Sequence, residues 1–181
     1  MSEYFILWAI GQDRPGIVHE VTKTLFSLNC NLEDSSMMRL GSEFGIFLIF
    51  SSKNKNLKKQ FLAHLPRLRK NLNVTIDIKP ISSHSAKFKP AGPNPYIVSV
   101  HGYDKPGIVY HVTSCLSKYG FNITDLSTHR VQNKSHPGYI LLLEGDLLKP
   151  KNFTPLEKAL RSLQKNRKFK ATIRPIKSHI L

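Results

Sequence analysis

The stretch Gly11-Gln12-Asp13-Arg14-Pro15-Gly16-Ile17-Val18 occurs a second time as Gly102-Tyr103-Asp104-Lys105-Pro106-Gly107-Ile108-Val109. Each residue of the second copy lies 91 positions after its counterpart, as Gly102 does after Gly11. Both copies follow an apolar run and precede apolar residues at helical spacing. The duplicated stretch therefore predicts two turns, each leading from a strand into a helix.

The residue types of the turn have separate physical roles. Pro15 fixes φ and lacks an N–H, which suits the first turn of a helix. Asp13, just upstream, is placed to cap free N–H groups at the helix start. Gly16 lacks a side chain, so another backbone segment or a small ligand can approach there. The same predictions apply at the matching positions of the second copy.

Apolar patterning around each turn predicts the remaining elements. Asn29 and Gly120 occupy matching positions at the two helix ends, and both residue types favour a left-handed cap. The predicted order in each unit is β-α-β-β-α-β, which is ferredoxin-like. Strands are predicted at 4–10, 31–40, 44–50, 74–81, 96–101, 122–131, 139–144 and 169–176, and helices at 17–28, 57–70, 106–119 and 155–166.

The chain is therefore predicted to be an α+β protein with two ferredoxin-like domains, whose antiparallel sheets carry helices on one face. We expect a first domain at 1–82, a linker rich in proline and serine at 83–95, and a second domain at 96–181. Both faces of the first sheet's central strands are apolar, because Phe5, Leu7 and Ala9 alternate with Ile6, Trp8 and Ile10, and Phe47 and Ile49 alternate with Ile46, Leu48 and Phe50. We therefore expect the face without helices to pack on another sheet or subunit, chiefly in the first unit, which predicts a homo-oligomer.

Apolar runs and cysteine positions indicate in which compartment the protein is expected. No apolar run is long enough to span a membrane, and the start of the chain does not resemble a signal peptide, so we expect a cytoplasmic protein without membrane contact. Cys30 and Cys115 do not occupy matching positions, so two reduced and mostly buried thiols are expected rather than a disulfide.

The formal net charge of +15 makes nucleic acid an alternative partner. The predicted fold order is shared with RNA-recognition modules, but Ile46 and Ile49 stand where those modules carry aromatic residues. The charge lies instead in the second helices, where a solvated face is the usual outcome. In the first unit these cations are Lys55, Lys58, Lys59, Arg67, Arg69 and Lys70.

Motifs of catalysis are missing from the sequence. The eight histidines form neither a HExxH pair nor metal-ligand spacing with cysteine, and there is no GxSxG, GxGxxG or P-loop. A non-catalytic protein with no cofactor and no metal is therefore predicted.

The two turns, the helices after them and the strand starts at 31–34 and 122–125 resemble ACT domains, which are small modules that bind amino acids. The arrangement of two modules without an enzyme domain resembles the glycine cleavage system transcriptional repressor family. This resemblance covers nearly the whole chain and implies a ligand held between modules against the turn. Turn N–H groups suit a carboxylate, and Asp or Asn oxygens suit an ammonium.

The residues that the resemblance assigns to ligand binding are turn residues, expected to offer backbone donors, and the starts of the second strands. A bidentate arginine clamp would exist only in the first copy, because the second copy has lysine at that position. The assigned residues are Asp13, Arg14, Pro15, Gly16, Ile17, Asn31, Leu32, Asp104, Lys105, Pro106, Gly107, Ile108, Asn122 and Ile123. A plain turn without a ligand remains the alternative for each of them.

The predicted function is regulation of transcription or metabolism through protein contact. The expected ligand is a small amino acid, with glycine indicated by the resemblance, and the expected protein partner is a transcription factor. A basic, ferredoxin-like protein that binds nucleic acid directly is the alternative.

Overall fold

The computed structural model describes residues 2–87, 95–132, 137–165 and 169–176. The chain divides into two compact units, Met1–Phe88 and Lys89–Leu181. The elements of the first unit are β1 (Glu3–Gln12), α1 (Ile17–Ser27), β2 (Asn31–Leu40), β3 (Glu43–Ser52), α2 (Leu57–Leu72), β4 (Val74–Ile81) and the single turn α3 (Ser83–Ala86). Those of the second are β5 (Pro95–Tyr103), α4 (Ile108–Lys118), β6 (Phe121–Val131), β7 (Gly138–Leu147), a 3-10 turn (Pro150–Asn152), α5 (Phe153–Lys165) and β8 (Phe169–Pro175).

Each unit contains one four-stranded antiparallel sheet, in the orders β2-β3-β1-β4 and β6-β7-β5-β8. The predicted α+β, ferredoxin-like architecture is confirmed for both units. The left-handed residues predicted after α1 and α4 are also present, with φ of +53° at Asn29 and +72° at Gly120. Part of the stretch predicted as linker is helical, since it contains α3. Ser82 caps this helical turn by accepting a hydrogen bond from the Ser85 amide. Pro95, also predicted as linker, is the first residue of β5, and 88–94 lie outside the described residues.

The cores form between the helices and one face of each sheet. In the first unit, alternate residues of β1 pack with buried residues of α1 and α2. The buried set includes Phe5, Leu7, Ala9, Val21, Leu25, Leu57, Phe61, Leu65 and Leu68. On the opposite face, Trp8 is half-buried and its cross-strand neighbour Phe47 is 45% exposed. Packing of this face on another sheet or subunit stays a prediction.

Both cysteines are free and half-buried, so they are less enclosed than expected. Burial raises the pKa of each thiol above its ordinary value. Smaller effects lower the pKa, namely the hydrogen bond with Ser52 at Cys30 and the charge of Lys118 at Cys115. The protonated form therefore dominates at neutral pH, which is unfavourable for a nucleophile.

Candidate functional site

The backbone of the two turns differs from the prediction in how the helices begin. Gly16 and Gly107 occupy the N-cap positions in the left-handed conformation, with φ of +94° and +91°. α1 therefore begins at Ile17, as predicted, and α4 begins at Ile108, two residues after its predicted start, and neither helix start has a side-chain cap. The predicted proline in the first helical turn and the predicted aspartate cap are both wrong. At Gly16 the glycine is explained by its positive φ, because a Cβ there would meet nothing within 4 Å.

The aspartates of the turns are bound by arginines of the edge strands. Asp104 Oδ2 lies 2.8 Å from Nε of Arg130 on β6, and Asp13 Oδ2 lies 3.6 Å from Nη1 of Arg39 on β2. The carboxylates are directed toward these cations rather than toward the helix amides. Since Arg39 and Arg130 are also 91 positions apart, the ion pair belongs to the duplicated unit.

Some backbone donors expected to face a ligand are already engaged. The Asp13 amide donates to the Ser42 carbonyl at 2.8 Å, and the Asp104 amide donates to the Pro137 carbonyl at 3.0 Å. Further along, the His111 amide makes the first intrahelical bond of α4, to the Gly107 carbonyl at 3.0 Å. The amides of residues 108–110 precede that bond and have no intrahelical acceptor. These three N–H groups are therefore available to a ligand, unlike the Asp104 amide.

A cleft of about 570 Å³ opens beside this helix start in the second unit. It brings together five of the predicted site residues, Asp104, Lys105, Pro106, Gly107 and Ile108. Four further residues line the cleft and were not predicted from the sequence: Val109, Tyr110, Arg130 and Tyr139. The 91-residue offset could have identified Arg130, because it matches Arg39 and both arginines precede the hairpin that returns to the central strands.

The first turn is arranged differently. The guanidinium of Arg14 donates to the main-chain carbonyl of Asn71, near the end of α2. The side chain expected to clamp a ligand carboxylate is therefore engaged with the protein itself. Pro15 and Gly16 are exposed, and Ile17, only 2% exposed, belongs to the core. At the second turn, Lys105 replaces Arg14 and is exposed.

The predicted residues at the strand starts lie at the other end of each sheet. In β2, Asn31 pairs with Ser51, whereas Arg39, the partner of Asp13, pairs with Phe44. A strand of ten residues is about 30 Å long, so one unit does not bring its turn and its strand start together. The second unit has the same arrangement. Leu32 is 46% exposed, Asn122 is exposed and Ile123 is half-buried.

Asn31 belongs to a second, polar cleft of about 390 Å³ in the first unit, with Asn29, Ser51, Ser52 and neighbouring residues. The Asn31 amide donates to Glu33 Oε1 at 3.1 Å, and the Ser51 hydroxyl donates to the same oxygen at 2.5 Å. These hydrogen bonds, with Ser51 contributing more, lower the pKa of Glu33. The carboxylate therefore stays charged at neutral pH and holds the Asn31 side chain.

Asn122 of the second unit has a different neighbour. It pairs with Asp146 across the strands, at the position that Ser51 occupies opposite Asn31. Asp146 Oδ1 is buried and, in the part of the chain that the structure describes, has no hydrogen-bond partner. A buried carboxylate oxygen without a donor is an acceptor for an ammonium group or a water molecule. Asp146 was not among the residues predicted from the sequence.

Across 2–87, 95–132, 137–165 and 169–176, no group of three His, Cys, Asp or Glu side chains could hold a metal ion. Within the same residues, no helix has the length and apolar character needed to cross a membrane.

Comparison with known proteins places the chain in a family. The ACT domain model matches residues 3–79 and again 94–174. The glycine cleavage system transcriptional repressors of Escherichia coli K12 and Shigella flexneri are each 32% identical over 125 residues, which span 69% of this chain and 64% of each relative. A crystal structure of an unknown protein from Galdieria sulphuraria superposes with a TM-score of 0.78 at 23% identity, covering 98% of this chain and 100% of that one, and shows the shared fold. The chain belongs to the ACT domain family and carries two such modules in tandem.

Proposed function

We propose that this protein is a non-catalytic, cytoplasmic regulator that binds a small amino acid and acts on transcription or metabolism through contact with another protein. One observation carries the proposal. The uncapped start of α4 and the Asp104–Arg130 ion pair line the same cleft. Hydrogen-bond donors, a cation and a carboxylate are thus gathered where the family resemblance predicts a ligand.

The chemistry of the cleft suits a zwitterion. The free amides at the start of α4 and the exposed Lys105 favour a ligand carboxylate. Asp104 supplies a negative acceptor for the ammonium, and it is only 20% exposed. Tyr139 and Val109 add apolar surface beside the charged groups. A small amino acid matches this combination better than a nucleotide or a sugar, which would leave the two charges without complementary groups.

The names of the relatives favour glycine as the ligand and transcription as the process, since both are called glycine cleavage system transcriptional repressors. We further propose that another module closes the open side of the cleft, and that a transcription factor is the protein partner. A ligand held between modules would favour one arrangement over another, which is the differential binding that allosteric control requires.

A thermal-shift panel of the twenty common amino acids tests this function. We expect one small amino acid, at about ten times its dissociation constant, to raise the melting temperature by about 5 °C, because a ligand that binds only the folded state stabilises it. The other amino acids should give smaller shifts. Equal, negligible shifts across the whole panel at millimolar concentration would contradict amino-acid binding.

A basic surface favours direct nucleic-acid binding as the second candidate. Lys58, Lys59, Arg67 and Lys70 of α2 are exposed, and residues 53–70 contain no acidic residue. Arg69 differs, because its guanidinium donates to the Ile76 carbonyl at 3.0 Å. Exposed lysines without acidic neighbours can release counterions when they contact phosphates.

This candidate predicts salt-sensitive binding of duplex DNA, measured by fluorescence anisotropy between 50 and 200 mM salt. Replacing Lys59 and Lys70 with glutamate should then weaken binding at least about tenfold and reduce its salt dependence. Replacing Lys23 and Lys79 in the same way gives a control with an identical change in net charge. Equal losses in both variants would show that net charge, rather than this face of α2, accounts for the binding.

A further inference from the structure

Arg130 lies where its guanidinium can contact a charged group of a ligand bound in the cleft of the second unit. It lies near the end of the edge strand β6, opposite Tyr139 of β7, and both residues line the cleft. Its side chain is 78% exposed, whereas that of its partner Asp104 is 20% exposed. The carboxylate therefore lies deep in the turn and the guanidinium extends toward the open cleft.

The geometry of the ion pair leaves both partners able to bind a ligand. The 2.8 Å contact joins Arg130 Nε to Asp104 Oδ2. A guanidinium has four further N–H groups on its two Nη atoms, and a carboxylate has a second oxygen. The pair thus presents a positive and a negative pole side by side. An α-amino acid carries its ammonium and carboxylate on one carbon, so it can engage both poles at once.

We propose that Arg130 and Asp104 select α-amino acids as zwitterions, with Arg130 receiving the carboxylate and Asp104 the ammonium, and that the second unit is the binding-competent one. This inference rests on the proposed function and adds to the site a residue outside the predicted set, Arg130. An anion or a cation alone would neutralise only one pole and leave the other charge partly desolvated.

The repeat itself explains why the second turn is favoured over the first. In the first unit Asp13 is 37% exposed, and its contact with Arg39 is longer, at 3.6 Å. The neighbouring cation, Arg14, is bound to the Asn71 carbonyl. In the second unit the neighbouring cation is Lys105, for which the described residues provide no hydrogen-bond or ion-pair partner. The second turn can therefore offer two cations to a carboxylate, and the first turn only one.

Isothermal titration calorimetry of the full chain tests the inference with glycine, alanine and serine as zwitterions. Glycinamide lacks the carboxylate and acetate lacks the ammonium, so we expect both to bind at least about tenfold more weakly than glycine. Arg130→Gln should weaken binding of the zwitterions at least about tenfold. Arg130→Lys should give an intermediate loss, because lysine keeps the charge but not the planar fork of donors.

The repeat supplies the matched control, Arg39→Gln, which changes the same residue type at the equivalent position of the first unit. We expect it to change the dissociation constants less than about twofold, and we expect both variants to melt like the parent protein because the two arginine side chains are exposed. Zwitterion binding that Arg130→Gln leaves unchanged, or that Arg39→Gln weakens equally, overturns the inference while the proposed function stands. Failure of the parent protein to bind any of the three zwitterions, or any other amino acid of the thermal-shift panel, overturns both.

Discussion

Replacing Gly145 with alanine is expected to lower the free energy of unfolding of the second unit by about 3 kcal/mol, the upper end of the range for overpacked cores. A Cβ built on Gly145 would lie 2.1 Å from the Asn122 carbonyl oxygen and 2.5 Å from the Phe121 ring. Relief would require movement of the β6 backbone at the bulge beside Ile123, because a carbonyl oxygen cannot rotate away as a flexible side chain can. Urea unfolding followed by far-UV circular dichroism measures the loss.

Gly138→Ala, on the same strand, is the control. A Cβ at Gly138 would lie 3.5 Å from the Val131 Cβ, which is an ordinary contact. We expect this variant to unfold within about 1 kcal/mol of the parent protein. Because Trp8 is the only tryptophan and lies in the first unit, the midpoint of its fluorescence transition should not change in either variant. Equal stability of Gly145→Ala and Gly138→Ala would contradict this prediction, because it would show that the β6 backbone at the bulge moves without loss of stability.

Gly145 marks a position at which the cores of the two units are packed differently despite the sequence repeat. Gly145 pairs with Tyr96, and the matching pair in the first unit is Phe50 with Phe5. A large residue of the first core is thus replaced by the smallest one in the second. The change is compensated one strand away, where Phe121 stands at the position matching Cys30. The two cores have the same topology, but they exchange a large and a small residue between neighbouring strands.

Most of the fold could be predicted because burial alternates along the strands and repeats at helical spacing along the helices. The order of elements and the left-handed caps follow from local patterns. The sequence did not predict that every residue of the edge strand β2 would be exposed. Leu32, Met37 and Leu40 are apolar residues whose exposure depends on which strand lies at the edge, and local pattern does not determine that order.

The position of the candidate site could be predicted from the sequence, but its side-chain contacts could not. The duplicated turn correctly indicated a strand-to-helix connection, but proline and aspartate favour several turn geometries. The left-handed glycine excludes the predicted cap, and the aspartate then pairs with an arginine that lies 26 residues further along the chain, as Asp104 does with Arg130. Such a pairing depends on sheet topology. It becomes visible in the sequence only when the two repeats are aligned and Arg39 and Arg130 coincide.

Phe50→Ala is expected to destabilise the first unit by about 4 kcal/mol, because a buried phenylalanine leaves a cavity that its neighbours fill only in part. Phe50 is fully buried, its ring stacks on Phe5 at 5.6 Å between centroids, and Phe61 lies at 6.4 Å. The midpoint of the Trp8 fluorescence transition in urea should fall, with the second unit unaffected. A loss below about 1 kcal/mol would mean that α2 moves inward to fill the space.

Phe47→Ala is the matched control, because Phe47 lies on the same strand, faces away from the helices and is 45% exposed. We expect this variant to unfold within about 1 kcal/mol of the parent protein at concentrations where the protein is monomeric.

The same variant also tests whether the face of the sheet opposite the helices takes part in self-association. If the apolar face around Trp8 and Phe47 mediates self-association, sedimentation should show weaker association for Phe47→Ala. For Phe50→Ala, association should fall only in proportion to the unfolded fraction. Equal association of Phe47→Ala and the parent protein would remove that face from the interface, because an exposed aromatic side chain at the centre of a contact is where truncation costs most.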